Sequence, residues 1–305
     1  MKKTFDVYAY GMIAASTLHV LSMPFPAPDG YSEIRESLRM TGGEAANASI
    51  VLSRLGVTVK LDGTWIGDTA EGQALLETLR SFNLEISRLH VEAGYPGVRE
   101  IVFSDDETRS VFGSYATLLA PGAPVRWNMP CREDVAAAAL ACIDPFFGPA
   151  SELAAQYALD EGVPYVTVDC PHTGSLAQNA AAVIVSGEYR RRDCPGEDLM
   201  VLFNAYQKSC RGLVIFTGGG EGGWYARPGE PSRQFSSYPV QVVDTAGAGD
   251  SFRSGVMYGL LKGWPDTETV NYAAALAALV CASFPGVLNS PSHEQILDLV
   301  KTKPK

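Results

Sequence analysis

The 305-residue chain has no concentrated set of metal-ligating or disulfide-forming residues. Its six cysteines, Cys131, Cys142, Cys170, Cys194, Cys210 and Cys281, are scattered without Cys-x-x-Cys spacing. Neither a zinc site nor a disulfide framework is expected, and reduced thiols fit best. The four histidines, His19, His90, His172 and His293, show no ligand or triad spacing. Basic residues are in deficit: 24 Lys and Arg stand against 34 Asp and Glu, a net charge of −10 with no basic run. That excludes nucleic acid as an expected partner. A small phosphorylated ligand is not excluded, because one helix N-terminus can hold it within an acidic protein. No segment reaches membrane-span length without glycine, proline or charge. The opening Met-Lys-Lys-Thr-Phe-Asp is unlike a signal peptide, so a cytoplasmic location is expected. Walker A sequences, internal repeats and low-complexity runs are also missing.

What is present suits a large α/β domain: 46% hydrophobic and 19% charged residues can bury a substantial core. Strand-like and helix-like segments alternate. Strands are expected over Asp6 to Ala14, Thr58 to Trp65, Ala141 to Phe146, Val163 to Val168 and Leu213 to Phe216, with helices near Thr69 to Phe82, Arg132 to Ala139 and Ala150 to Glu161. Such succession implies a mostly parallel sheet with helices on both faces. Two stretches break the rhythm, the proline-rich 16–31 and the extended 89–111. The alanine-rich stretches Ala136 to Ala141 and Ala273 to Ala278 read as tight helix packing.

The most informative stretch is Asp244-Thr245-Ala246-Gly247-Ala248-Gly249-Asp250-Ser251-Phe252. A strand is expected before it, over Tyr238 to Val243. After it a helix runs until Gly263 and Pro265. Gly247 and Gly249 free the backbone, and the unpaired amides of a first helical turn favour an anion. Asp250 at that mouth can accept a proton from a hydroxyl meeting the anion, or it can serve as an N-cap. Near the N-terminus, Gly42-Gly43-Glu44-Ala45-Ala46-Asn47 opens a second helix. Its paired glycines permit close approach of a polyol, and an Asn amide both donates and accepts toward hydroxyls. In the third stretch, Thr217 to Trp224, Gly218, Gly220 and Gly223 fit GxGxxG. A strand and turn follow rather than a helix, so a dinucleotide fingerprint is rejected.

Together these stretches resemble the ribokinase-like (PfkB) family of sugar kinases, in ketohexokinase and ribokinase flavour. The resemblance implies a ribokinase-like α/β fold as one domain over residues 1–305. A small β lid from about 16–31 and 89–111 would exclude water and join two subunits into a homodimer. The implied activity is ATP-dependent phosphoryl transfer to a carbohydrate hydroxyl, with Mg²⁺ and a monovalent cation such as K⁺. Asp250 would be the general base, with the turn Ala246 to Gly249, which carries Gly247, Ala248 and Gly249, as anion hole. Gly42, Gly43 and Asn47 would orient the substrate, joined by Ser16, Asp144 and Arg109. The nucleotide would meet Thr217, Gly219 and Gly222, the Thr-x-Gly-x-x-Gly pattern, together with Thr245 and Gly286. Asp244 is the candidate for the monovalent cation and Asp169 for the metal region; Asp144 and Asp169 could equally cap the turns that follow them.

Two departures bear on the substrate. Relatives usually carry an Asp shortly after the first strand to grip two sugar hydroxyls, and here Ser16 stands in its place. The metal-associated Asn-x-x-Glu is also missing, the segment reading Val185-Ser186-Gly187-Glu188-Tyr189-Arg190. Kinases of a non-sugar alcohol, such as a nucleoside or pyridoxal, stay open, as does a non-catalytic ligand-binding descendant.

Overall fold

In the computed structural model, which describes residues 3–105 and 109–302, an eight-stranded sheet forms the spine. Its six parallel strands are β1 (Phe5–Gly11), β4 (Val59–Gly63), β9 (Ala138–Ile143), β10 (Tyr165–Val168), β11 (Ala182–Val185) and β12 (Leu213–Thr217), followed by the antiparallel β13 (Gly223–Ala226) and β14 (Arg233–Phe235). The order is β14-β13-β12-β11-β10-β9-β1-β4. The parallel strands are apolar on both faces, as Val7, Leu140, Cys142, Val166 and Ile215 illustrate, because helices cover both sides.

One helical layer comprises α1 (Glu44–Arg54), α2 (Ala70–Ser81), α9 (Ala248–Lys262), α10 (Asp266–Cys281) and α11 (His293–Lys301). On the other face lie α4 (Arg132–Ala137), α5 (Pro149–Asp160), α7 (Gly187–Asp193) and α8 (Leu199–Ser209), with the single turns α3 (Tyr115–Leu118) and α6 (Ser175–Gln178). The alanine-rich 273–278 stretch packs as expected. A Cβ at Gly255 would collide with Ala273 and one at Gly259 with Thr269, so α9 and α10 approach backbone to backbone.

A second, four-stranded sheet stands apart, ordered β3-β2-β7-β8, from β2 (Ala14–Leu21), β3 (Ile34–Gly42), β7 (Arg99–Ser104) and β8 (Arg109–Gly113). The short β5 (Ile66–Gly67) and β6 (Val91–Glu92) pair with each other. The two stretches that break the βαβ rhythm thus contribute β2, β6, β7 and part of β8, while residues 106–108 lie outside the described residues. The second sheet's inner face carries Leu18, Val20, Met40 and Val102, packed on Phe284 and Leu288 of the chain between α10 and α11.

Three expectations need correction. The alanine-rich 136–141 is helical only at Ala136 and Ala137, because Ala138–Ile143 is β9, paired between β1 and β10. The strand-like run before residue 14 is interrupted at Met12 and Ile13, because the chain leaves the main sheet after Gly11 and enters the second at Ala14. Tyr238 to Val243 forms no strand despite its alternation. Pairing needs an open neighbour; here Val242 and Val243 face solvent while the Val243 amide bonds to the Cys281 carbonyl at 2.7 Å.

Candidate active site

The second sheet, α1 and α9 meet above the C-terminal ends of β1 and β9, where an open parallel sheet collects ligands. Gly43, at φ 88°, caps α1, and a Cβ there would collide with the Met12 carbonyl. The turn before α9 has Gly247 at φ 72°, where a side chain would strike Val287. Val287 therefore belongs to the wall of this turn, whereas Gly286, its chain neighbour, lies against Val280 and Ser283.

Asn47 and Asp250, 203 residues apart, are hydrogen-bonded: Asn47 Nδ2 donates to Asp250 Oδ2 at 2.9 Å. Thr41 Oγ1 donates to Asn47 Oδ1 at 3.2 Å, which sets the carboxamide orientation. Asp250 is the third residue of α9, past its Gly247 N-cap, so the capping alternative does not hold. Among the described residues its Oδ1 has no hydrogen-bond partner. Burial pushes its carboxyl up to about 6; Arg253 and the Asn47 bond oppose that rise, while Asp144 and Glu100 add to it.

The anion turn is narrower than the sequence implies. Asp244 Oδ1 accepts the Ala246 amide at 2.8 Å, and the Ala248 amide bonds to the Thr245 carbonyl at 3.3 Å. Among the described residues, the amides of Gly247, Gly249 and Asp250 remain without acceptors. These three stand in the first turn, where the helix dipole favours negative charge. Asp244 is buried, and its Oδ2 has no hydrogen-bond partner among the described residues.

Asp144 is brought to the site but not exposed to it. It is fully buried, with Oδ1 on Arg253 Nη1 at 2.5 Å and Oδ2 accepting the Met12 amide at 2.8 Å. Its complete burial leaves it to position Arg253 and the end of β1 rather than to meet a substrate hydroxyl. Asp169, at φ 42°, accepts from the Ser186 amide at 2.7 Å and Ser186 Oγ at 2.9 Å. Its carboxylate clamps the start of α7. Arg109 is exposed at the start of β8, opposite Ser104. It lies four residues along the sheet from the Glu100 and Gly113 pair, roughly 13 Å at ~3.3 Å per residue. Ser16 is buried on β2, between Met40 and Glu100.

Thr217 ends β12 and leads into a tight loop in which the Gly218 amide donates to the Gly222 carbonyl at 2.6 Å. Gly222 takes φ 80° against the Phe235 carbonyl, a place no side chain could occupy, and Gly219 takes φ 62° facing open space. The loop continues into β13, a strand, so the helix that a dinucleotide fingerprint needs is absent there. A cavity of about 170 Å³ lies against it, lined by Arg190, Leu199, Thr217, Glu221 and Trp224 among others. Among the described residues no three His, Cys, Asp or Glu side chains are grouped to hold a metal ion.

Sequence reasoning missed Glu44, Glu100, Tyr115 and Arg253. Arg253 had one signal, a charged residue beside Phe252 on a helix otherwise read as packed. Glu100 had none, because its place depends on which strands become neighbours.

The site thus joins free amides at a helix start, a carboxylate with one open oxygen, and a glycine-rich loop across the sheet, an arrangement suited to phosphoryl transfer. Residues 175–292 match the family model described as pfkB family carbohydrate kinase. The chain is 26% identical over 289 residues to a nucleoside kinase of Methanothermobacter thermautotrophicus, covering 92% of this chain and 90% of that protein. It is 26% identical over 288 residues to an ATP-dependent ribose-1-phosphate kinase of Halopiger xanaduensis, covering 89% and 90%. The structure of Arabidopsis thaliana ribokinase complexed with ribose and ATP superimposes with a TM-score of 0.77 at 20% identity, over 99% of each chain. The fold is thus ribokinase-like α/β, residues 175–292 match a pfkB family carbohydrate kinase model, and the homologues are kinases, phosphotransferases that act on alcohol groups.

Proposed function

We propose that this protein transfers the γ-phosphoryl group of ATP to a hydroxyl of a small sugar or nucleoside, with Asp250 as general base. The carrying observation is the Asn47 to Asp250 hydrogen bond, which places a carboxylate with an open oxygen at a mouth of three free amides. The acceptor oxygen bonds to the γ-phosphorus as the bond from that phosphorus to the β,γ-bridging oxygen breaks. Asp250 takes the hydroxyl proton and ADP leaves. The Gly247, Gly249 and Asp250 amides stabilise charge on the transferring group, and Gly42 and Gly43 admit the acceptor.

The nucleotide is read as lying between this turn and the Thr217, Gly219 and Gly222 loop, with Thr245 and Gly286 beside it. Mg²⁺ would arrive with the nucleotide, because this ion is usually carried largely by substrate phosphates and water. It would supply charge neutralisation of the phosphates. The partnerless Asp244 Oδ2 is the atom that fits a monovalent cation. A coupled ADP-release screen over sugars, amino sugars, sugar acids, nucleosides and pyridoxal tests the reading. No acceptor-dependent ADP release with any of them would overturn it, and replacing K⁺ by choline in the same assay checks the Asp244 site.

A pH profile follows from the electrostatics. Asp250 must be unprotonated to act, and its carboxyl is raised to about 6. We therefore expect kcat/KM to be half its plateau near pH 6 and to approach a tenfold fall per unit well below it. Asn47→Ala removes a donor that favours the charged form, so the acid limb should move to higher pH. A limb near the ordinary carboxylate value in both proteins would contradict the assignment.

Residues 1–305 are read as one domain in which the second sheet is a lid over the acceptor side. Its outer face presents Phe25, Ile101 and Phe112 to solvent, which suits a homodimer through the lid. Light scattering showing a monomer at micromolar concentration would remove that element. No helix among the described residues is long and apolar enough to cross a membrane; a cytoplasmic location is part of the proposal, checked by fractionation.

A further inference from the structure

The acceptor end of the site holds more carboxyl groups than phosphoryl transfer requires. On the inner face of the second sheet, Glu100 of β7 has Ser16 as its neighbour on β2 and Gly113 as its neighbour on β8. The small Ser16 leaves space on one side of the carboxylate, while the ring of Tyr115 packs against Gly113 on the other. Glu100 reaches toward the mouth of α1, where a Cβ added to Gly42 would run into its carboxyl group. Tyr115 donates its phenol to Glu100 Oε2 at 2.8 Å and so fixes the rotamer. Among the described residues Oε1 accepts no hydrogen bond and no cation pairs with Glu100.

We infer that Glu100 is the specificity-determining carboxylate that grips the acceptor's hydroxyls, occupying from β7 the place that Ser16 leaves vacant on β2. The acceptor it selects is a neutral or amine-bearing polyol, and phosphorylated or carboxylated acceptors are rejected. This rests on the kinase reading and names the substrate class for the same site.

Charge balance supports the second half. Glu44, Glu100 and Asp250 share the region with one buried cation, Arg253, which is already paired with Asp144. Burial, with Asp144 and Asp250, pushes Glu44 up to about 8, and Tyr115 is raised by burial and by the charges of Glu100, Glu44 and Asp250 together. An anionic acceptor would add repulsion to groups that already resist ionising. Hydroxyls donating to Glu100 Oε1, or an ammonium, relieve it, and hydrogen bonds to an ionised carboxylate are the stronger kind.

The test measures kcat and KM at saturating ATP for a neutral sugar, an amino sugar, a sugar acid and a sugar phosphate. The wild-type protein should use the first two and not the last two. Glu100→Gln should raise acceptor KM roughly 10- to 100-fold, the range for losing a hydrogen bond to a charged group, while leaving the KM for ATP unchanged. The loss should be larger for the amino sugar. Ser16→Asp alone should also impair binding, since it sets two carboxylates side by side, whereas Ser16→Asp with Glu100→Ser moves the charge back to β2 and should recover acceptor KM. A merely structural glutamate would not be rescued by that exchange. Unchanged acceptor KM in Glu100→Gln, or preference of the wild type for an anionic acceptor, overturns this inference and leaves the kinase reading standing. Absence of acceptor-dependent turnover throughout overturns both.

Discussion

Asp250→Asn is expected to reduce turnover by at least about 10²-fold, the usual scale for removing a general base, with fold and ATP affinity retained. The substitution is nearly isosteric, and an amide can still accept from Asn47 Nδ2 at the position of Oδ2. It removes a carboxylate whose ionisation is opposed by burial, Asp144 and Glu100, so stability should hold or rise. What disappears is the open oxygen that accepts the hydroxyl proton as the bond to phosphorus forms. Single-turnover rates, a urea titration and ATP binding separate these effects. A variant phosphorylating an acceptor at near wild-type rate would remove Asp250 from the chemistry, and a variant that failed to fold would show it to be structural.

Arg253→Met should produce the largest loss of stability, about 3–5 kcal/mol, the range for removing one partner of a buried ion pair. Arg253 and Asp144 are both essentially inaccessible, with side-chain exposures of 1% and 0%. Without the guanidinium, Asp144 keeps only the Met12 amide, and the carboxylate stays in a low-dielectric place. Adding Asp144→Asn to Arg253→Met should restore much of the loss, because the amide oxygen can still serve the Met12 N–H and no charge is stranded. Two Arg253 nitrogens, Nε and Nη2, have no partner among the described residues, so the native pair itself is bought at some cost. That cost fits a residue kept for its field at Asp250 rather than for stability. Chemical denaturation of the two variants checks the difference; equal stability of Arg253→Met and wild type would mean that the pair is not buried as described.

The site was legible where chemistry is local. Gly247, Gly249 and Asp250 declare a helix mouth with an acid because glycine torsions and unpaired amides act within a few residues. Gly42, Gly43 and Asn47 declare a second helix start for the same reason. Their union was not visible in either string, because the Asn47 to Asp250 bond spans 203 positions and depends on how α1 and α9 pack. Local reading failed wherever a polar side chain could serve either structure or ligand. Asp144 ends a strand as site residues do, yet it is fully buried against Arg253 and the Met12 amide. Ala246 has the right place in the turn, yet its amide belongs to Asp244.

Periodicity and composition were enough to specify a parallel α/β sheet, because strand and helix periods and the burial of both sheet faces are written into neighbouring residues. They were also enough to specify an anion turn with a carboxylate beside it. Which acids face that turn was settled by packing between distant segments. Strand register set Glu100 beside Ser16 and Gly113, and the burial of Arg253 withdrew Asp144. The reaction class is thus a short-range property of the chain, whereas the selection of its acceptor depends on charges that only folding brings within a few ångströms of one another.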